Sequence, residues 1–315
     1  MKPKNLCLVA TVMALSMVTG LLTSSGTAHA QLPTVPHYDC YNIDPVGPLP
    51  TLPTSLTLKT QFGTETVTIP LNEYTDLCLP ALKKVGTNWE GDLNAPHVEC
   101  LPIAGDAAHI RVKLVTQFGI QTRVGVLNPI EACMPAKKSL TGEPTPPIPT
   151  TPHYECYSID GPSPPGLPSS VLVQDQFLPA PAGTTVLLGG PTRLCLPAQK
   201  WVADPAPGHW EGDLNAPHVE CFAITSGPTV EKYVYLLTQF GPYQEVHVPP
   251  DHPRELCVPV LKTVIGGVGG EQDLPDVAGN ADSGGSSLPY AIAGAAMGLV
   301  VLGAGGWYAR RRWLS

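Results

Sequence analysis

Residues 89–100 read WEGDLNAPHVEC, and the same twelve residues return unchanged at 210–221. Self-similarity at a fixed period decides an architecture before any local propensity does. The last four residues, His97–Cys100 and His218–Cys221, are a short form of HYDCY at 37–41 and HYECY at 153–157. Each of these four headings is followed by a Gln-Phe pair: Gln61-Phe62, Gln117-Phe118, Gln176-Phe177 and Gln239-Phe240. A second cysteine followed by x-Pro comes next, at Cys78, Cys133, Cys195 and Cys257. A lysine closes each unit, at Lys83, Lys137 or Lys138, Lys200 and Lys262. First cysteines stand 60, 56 and 65 residues apart, so the chain holds four small units, with the first two duplicated as a pair.

Counting back in twos from each phenylalanine gives the local structure. Leu56, Leu58, Thr60 and Phe62 share a face, as do Val112, Leu114, Thr116 and Phe118. Val171, Val173, Asp175 and Phe177 follow the same rule, and so do Val234, Leu236, Thr238 and Phe240. Period-two alternation held in register through four copies predicts strands. A turn and a return strand follow each Gln-Phe pair, clearest at Thr64–Ile69. The fold class expected is therefore mainly β: four small disulfide-stapled β modules in tandem, plus one C-terminal transmembrane helix.

The boundaries follow. Residues 1–30 have Lys2 and Lys4, an apolar run and Ala28-His29-Ala30, the pattern of a secretory signal peptide. Cys7 leaves with it. The repeats occupy 31–86, 87–143, 153–207 and 208–264, with a proline-rich linker at 144–152 acting as a semi-rigid spacer. Residues 265–287 read as a flexible Gly/Asp/Ser stalk. Residues 288–309 are apolar enough, and long enough, for a membrane-spanning helix. The three arginines in 310–315 place that end in the cytoplasm and residues 31–287 outside it. The signal and the tail remove five basic residues, which leaves 13 of the 18 against all 26 acidic ones, a net −13 on the exposed part. Such a charge argues against nucleic acid as a partner. Proline (37) and glycine (31) are in excess, but most have an address in turns, linkers, stalk and helix, so the composition does not mark disorder.

Eight cysteines remain, two per repeat, in an exported chain: Cys40, Cys78, Cys100, Cys133, Cys156, Cys195, Cys221 and Cys257. An even count at repeated spacing reads as a disulfide framework, and pairing within each unit leaves none over. The competing reading is zinc, since each repeat offers a histidine, an acid and two cysteines, but no CxxC knuckle is present. The repeated His37, His97, His153 and His218 are then hydrogen-bonding groups at strand starts or shared ligand contacts. In the duplicated segment Glu90, Asp92 and Asn94, and again Glu211, Asp213 and Asn215, set oxygens at alternate positions as a calcium loop would. Glycine is missing from the sixth place of an EF-hand pattern, so the bland alternative is an inter-repeat connector. Trp89, Trp201 and Trp210 either stack on sugars or cover junctions.

With its His-x-x-Cys-Tyr, Gln-Phe-Gly and Leu-Cys-x-Pro-x-x-Lys units over most of 37–262, the chain resembles an uncharacterised Cys-paired tandem repeat family of exported bacterial proteins. It departs from that pattern at Leu101 and Phe222, in place of tyrosine, and lacks glycine after Phe177. The resemblance implies export and modularity and brings no catalytic residue or cofactor. No GxSxG, HExxH, phosphate-cradling loop or dinucleotide fingerprint occurs, so an enzyme is not expected. The expectation is a membrane-anchored cell-surface protein with a structural, display or adhesive role, tethered through one C-terminal helix. The alternative is an extracellular binding module for a glycan, a peptide or a calcium or zinc ion.

Overall fold

In the computed structural model, which describes residues 36–48, 51–70, 74–203 and 206–265, every repeat follows one plan. A first cysteine strand leads to a hairpin built around the Gln-Phe turn, and the chain returns along a second cysteine strand. The first repeat holds β1 (His37–Asn42), β2 (Asp44–Pro45), β3 (Ser55–Thr60), β4 (Gly63–Thr68) and β5 (Asp76–Val85). The second holds β6 (Asn88–Gly91), β7 (His97–Pro102), β8 (Ile110–Thr116) and β9 (Gly119–Ser139). The third holds β10 (Tyr154–Asp160), β11 (Ser170–Gln174), β12 (Thr184–Pro197) and β13 (Gln199–Val202). The fourth holds β14 (His209–Glu211), β15 (His218–Ser226), β16 (Val230–Leu237), β17 (Gln244–Asp251) and β18 (Glu255–Val264). The alternation read from the sequence matches the burial. Leu56, Leu58, Val112, Leu114, Val171, Val173, Val234 and Leu236 all face inward.

The eight cysteine strands pair in sequence order and then close. β1 pairs with β5, β5 with β7, β7 with β9 and β9 with β10. β10 continues to β12, β12 to β15, β15 to β18, and β18 returns to β1. All these pairs are antiparallel, so the product is a closed eight-stranded barrel with no free edge. At eight strands the interior is just wide enough to be filled by side chains. Here the filling is sulfur. Cys40–Cys78, Cys100–Cys133, Cys156–Cys195 and Cys221–Cys257 are the four disulfides, each linking directly opposed residues within one repeat. Neighbouring bridges touch, with Cys40 and Cys257 sulfurs 3.7 Å apart and those of Cys133 and Cys156 3.8 Å apart. Tyr38, Val98, Tyr154 and Val219 complete this lumen core.

On the outside, each hairpin docks across the barrel rather than on its own repeat. β3 of the first repeat pairs with β13 of the third, and β11 of the third pairs with β5 of the first. β8 of the second pairs with β18 of the fourth, and β16 of the fourth pairs with β9 of the second. The main apolar core lies between hairpins and barrel wall and includes Tyr41, Leu77, Leu79, Phe118, Phe177 and Phe222.

This corrects the expectation of four tandem modules. The four repeats belong to one compact unit and share their strand partners. A module of 55–60 residues has only a marginal core of its own, and ring closure removes the edges that four separate modules would expose. The linker at 144–152 joins adjacent staves β9 and β10 of the same ring, so it does not space two bodies. The expected signal peptide, the transmembrane helix, the cytoplasmic tail and all but the first residue of the stalk lie outside the described residues. No helix among the described residues is long and apolar enough to cross a membrane.

Candidate functional site

Alternation along a strand sends Tyr38 and Cys40 into the lumen and His37, Asp39 and Tyr41 to the outer wall. The outer set is what the repeat signature builds with. Each signature glutamine reaches the histidine of the preceding repeat around the ring. Gln117 bonds His37 at 3.3 Å, Gln176 bonds His97 at 3.2 Å and Gln61 bonds His218 at 2.5 Å, while Gln239 faces His153. The closing lysines complete the same junctions. Lys83 lies over Phe118 at 5.4 Å, Lys138 over Phe177 at 4.8 Å, Lys200 over Phe240 at 5.3 Å and Lys262 over Phe62 at 4.7 Å. Four identical knots of His, Lys, Gln and Phe thus lock each repeat to the next, the fourth to the first included.

The turn that aims glutamine and phenylalanine has its own cap. Thr60, Thr116 and Thr238 accept the amide hydrogen of the phenylalanine two residues on, and Asp175 does so in the third copy. This threonine position was visible only as part of the alternating face. In the knots burial dominates the electrostatics. It pushes His37 and His218 down to about 3 and His97 and His153 down to about 4, with the neighbouring lysine adding to the effect. It also lowers Lys83, Lys138 and Lys262 to about 8. Neutral imidazoles beside amides, with lysines over rings, describe a hydrogen-bonded lock.

One end of the lumen carries a charged layer that the sequence reading missed. The residues two before each second cysteine are Asp76, Glu131, Arg193 and Glu255, all buried. Arg193 is ion-paired to Asp76 at 3.1 Å, to Glu255 at 2.7 Å and to Glu131. Arg254 reaches Asp76 from the rim at 3.0 Å. The signal was present at a fixed offset, but mixed acids and one arginine do not look like a repeat until the ring brings them together.

The expected calcium oxygens are divided between two tasks. Glu90 lies 4.0 Å from Lys83, and Glu211 lies 3.9 Å from Lys200 and 3.2 Å from His209. Asp92 instead accepts the Asn94 amide at 2.9 Å, and Asp213 that of Asn215 at 2.8 Å, as in a turn. The segment forms ribbons β5–β6 and β13–β14. Its glycines are obligatory there: Gly91 and Gly212 have φ of +128° and +121°, and a Cβ would sit 2.3 Å from the carbonyl oxygens of Ala81 and Ala198. A Cys/His zinc site needs thiolates, and all eight cysteines are bridged.

Trp89 packs on the Gly183 backbone of the third repeat and under Lys84, a junction contact. Trp210 meets Trp201 edge-on at 5.3 Å, and Trp201 is exposed. A groove of about 470 Å³ opens beside the Lys83–Gln117–Phe118 knot, walled also by Lys84, Ser170 and Thr185. The fourth hairpin carries the most exposed aromatic among the described residues. Tyr233 stacks on His247 at 4.6 Å, Tyr235 meets Tyr243 at 6.0 Å, and Tyr233 is 53% exposed. The equivalent stretch of the second repeat has Arg111, Lys113 and Val115, so this face breaks the ring's symmetry. In comparisons with known proteins, no family model, no curated protein and no solved structure matches the chain.

Proposed function

We propose that this chain is an exported, membrane-anchored surface protein whose repeat region is a rigid display body rather than an enzyme. The observation that carries the reading is the lumen: eight cysteines joined as four touching bridges inside a closed barrel. Disulfides persist in oxidising compartments, which supports a location outside the cytoplasm. By the chain-entropy model, sequence separations of 33 to 39 residues make each bridge worth about 4 kcal/mol. The polar signature residues face one another across repeat boundaries, where catalysis would need them convergent on an open cleft. The C-terminal segment tethers the body, and its acidic surface keeps it soluble. Protease treatment of intact cells, followed by non-reducing peptide mapping, tests this. Release from intact cells of a fragment containing residues 36–265 with all eight cysteines bridged is the expected result, and release only after the cells are lysed, or free thiols, would refute it.

A second reading, a glycan-binding module, is favoured by the aromatic face of Tyr233, Tyr235, Tyr243 and His247. Tyr233 and Tyr243 are exposed and pack against half-buried His247 and Tyr235, and a tyrosine offers both a flat apolar ring and a polar tip to a ligand. A glycan array run with the full chain and with a Tyr233→Ala/Tyr243→Ala variant decides it. Binding that the variant loses favours recognition, whereas no binding by either leaves display alone.

A further inference from the structure

The residue before each first cysteine is an acid: Asp39, Glu99, Glu155 and Glu220. All four are at most 1% exposed and face the gap between barrel wall and hairpins. Each meets a polar side chain on the hairpin of the opposite repeat. Asp39 meets Asp175, Glu155 meets Glu65, Glu99 meets Gln244 and Glu220 meets Gln121. As carboxylates they are poorly served. Both oxygens of Asp39, Glu155 and Glu220, and one of Glu99, find no donor. In the two acid–acid pairs the acceptor is identifiable. Asp175 already takes hydrogen bonds from Tyr41 at 2.7 Å and from the Phe177 and Leu178 amides at 2.6 and 2.7 Å. Glu65 takes them from Tyr157 at 3.2 Å and the Asp106 amide at 3.3 Å. A proton on Asp39 and on Glu155 turns each contact from repulsion into a hydrogen bond. In the acid–amide pairs Gln121 and Gln244 each leave a carbonyl oxygen without a donor, which a protonated carboxyl would supply.

We propose that Asp39, Glu99, Glu155 and Glu220 stand in the folded protein as neutral carboxylic acids whose protons pin each hairpin to the barrel across the ring. Raising the pH draws the pins and loosens the hairpins. Burial is the main cause of the shift in each case. Glu155 is pushed up to about 8, with Glu65 adding to it, and Glu220 to about 7. Asp39 and Glu99 are raised well above the carboxylate range. The other titratable neighbours are Tyr41 and Tyr74, beside Asp39 and Glu99, Tyr157 beside Glu155, and Lys138 near Asp175.

A group raised in the folded state stabilises below its unfolded pKa and loses that contribution as pH climbs through the folded one. The four histidines act oppositely, costing stability as pH falls from 6.5 towards 4 for His97 and His153 and towards 3 for His37 and His218. Lys83, Lys138 and Lys262, lowered to about 8, and Lys200, lowered as well, cost stability mainly as pH falls from 10.5 towards 8. Between about pH 6.5 and 8 the carboxyls therefore outweigh the histidines and lysines, and stability falls with rising pH.

The full chain is melted across pH 6 to 9, alongside Glu155→Gln and Glu220→Gln, whose amides can still donate. The wild type should lose melting temperature from 6.5 to 8. Each variant should flatten that fall by the equivalent of about one proton. Infrared spectroscopy of the folded wild type at pH 6 should show a protonated-carboxyl C=O band that shrinks by pH 9, because ordinary carboxyls are ionised throughout. A melting temperature flat or rising through that window overturns the proposal, as does absence of the band. Variants that keep the wild-type slope overturn it too.

Discussion

At the residue scale, identity matters where a side chain is buried in the ring's knots and much less on the exposed hairpin faces. Phe118 is buried, edge-on to Phe222 at 5.2 Å, and lies beneath the ammonium of Lys83. Truncating it removes apolar packing, leaves a cavity and takes away a cation–π partner at once. Phe118→Ala should therefore cost about 3–5 kcal/mol in urea unfolding. Tyr233→Ala, on the exposed aromatic face, should stay within about 0.5 kcal/mol. Similar losses for the two would mean that Phe118 is not packed as described. The same contrast explains what could be read early. Phenylalanine repeats because a core position repeats, and that is visible in one chain. Why glutamine precedes it was not visible, because its partner is a histidine between 79 and 157 residues away, in another repeat.

At the scale of elements, strands and disulfides were legible because both are set by short-range rules. Alternation needs seven residues, and cysteine pairing needs only the repeat unit. Strand partnership was not legible, since a strand presents the same backbone to any neighbour. Treating each hairpin as part of its own repeat led to four modules. The hairpins in fact cross, first with third and second with fourth. Thermodynamic coupling can test directly whether a hairpin packs outside its own repeat. Lys262 lies over Phe62 of the first repeat, and its own repeat's Phe240 lies under Lys200 instead. A double-mutant cycle of Lys262→Met with Phe62→Leu should give a coupling of about 0.5–2 kcal/mol. The cycle of Lys262→Met with Phe240→Leu should give about zero. Reversed values would restore the self-contained module.

At the scale of the molecule, the closed ring makes a claim about halves. Repeats one and two contain every motif of repeats three and four, including the duplicated connector, so sequence reading allows residues 31–143 to fold as a unit. The pairing does not. In that fragment β1 loses β18, β9 loses β10, β3 loses β13 and β8 loses β18. The histidine of the second repeat and the glutamine of the first also lose their partners, Gln176 and His218. What remains is half a barrel with two bare edges and an exposed lumen, a surface that calls for another chain. The missing half repeats the motifs of the half that is present, so two fragments can supply each other's strand, histidine and glutamine partners about a two-fold axis. They cannot supply Arg193 for the buried Asp76 and Glu131, which sets a cost on the dimer. The expected behaviour of 31–143 is an unfolded monomer when dilute and a folded dimer when concentrated. Circular dichroism and sedimentation equilibrium over a concentration series would follow both together. A fragment that is folded while monomeric would show that the pair of repeats, not the ring, is the folding unit.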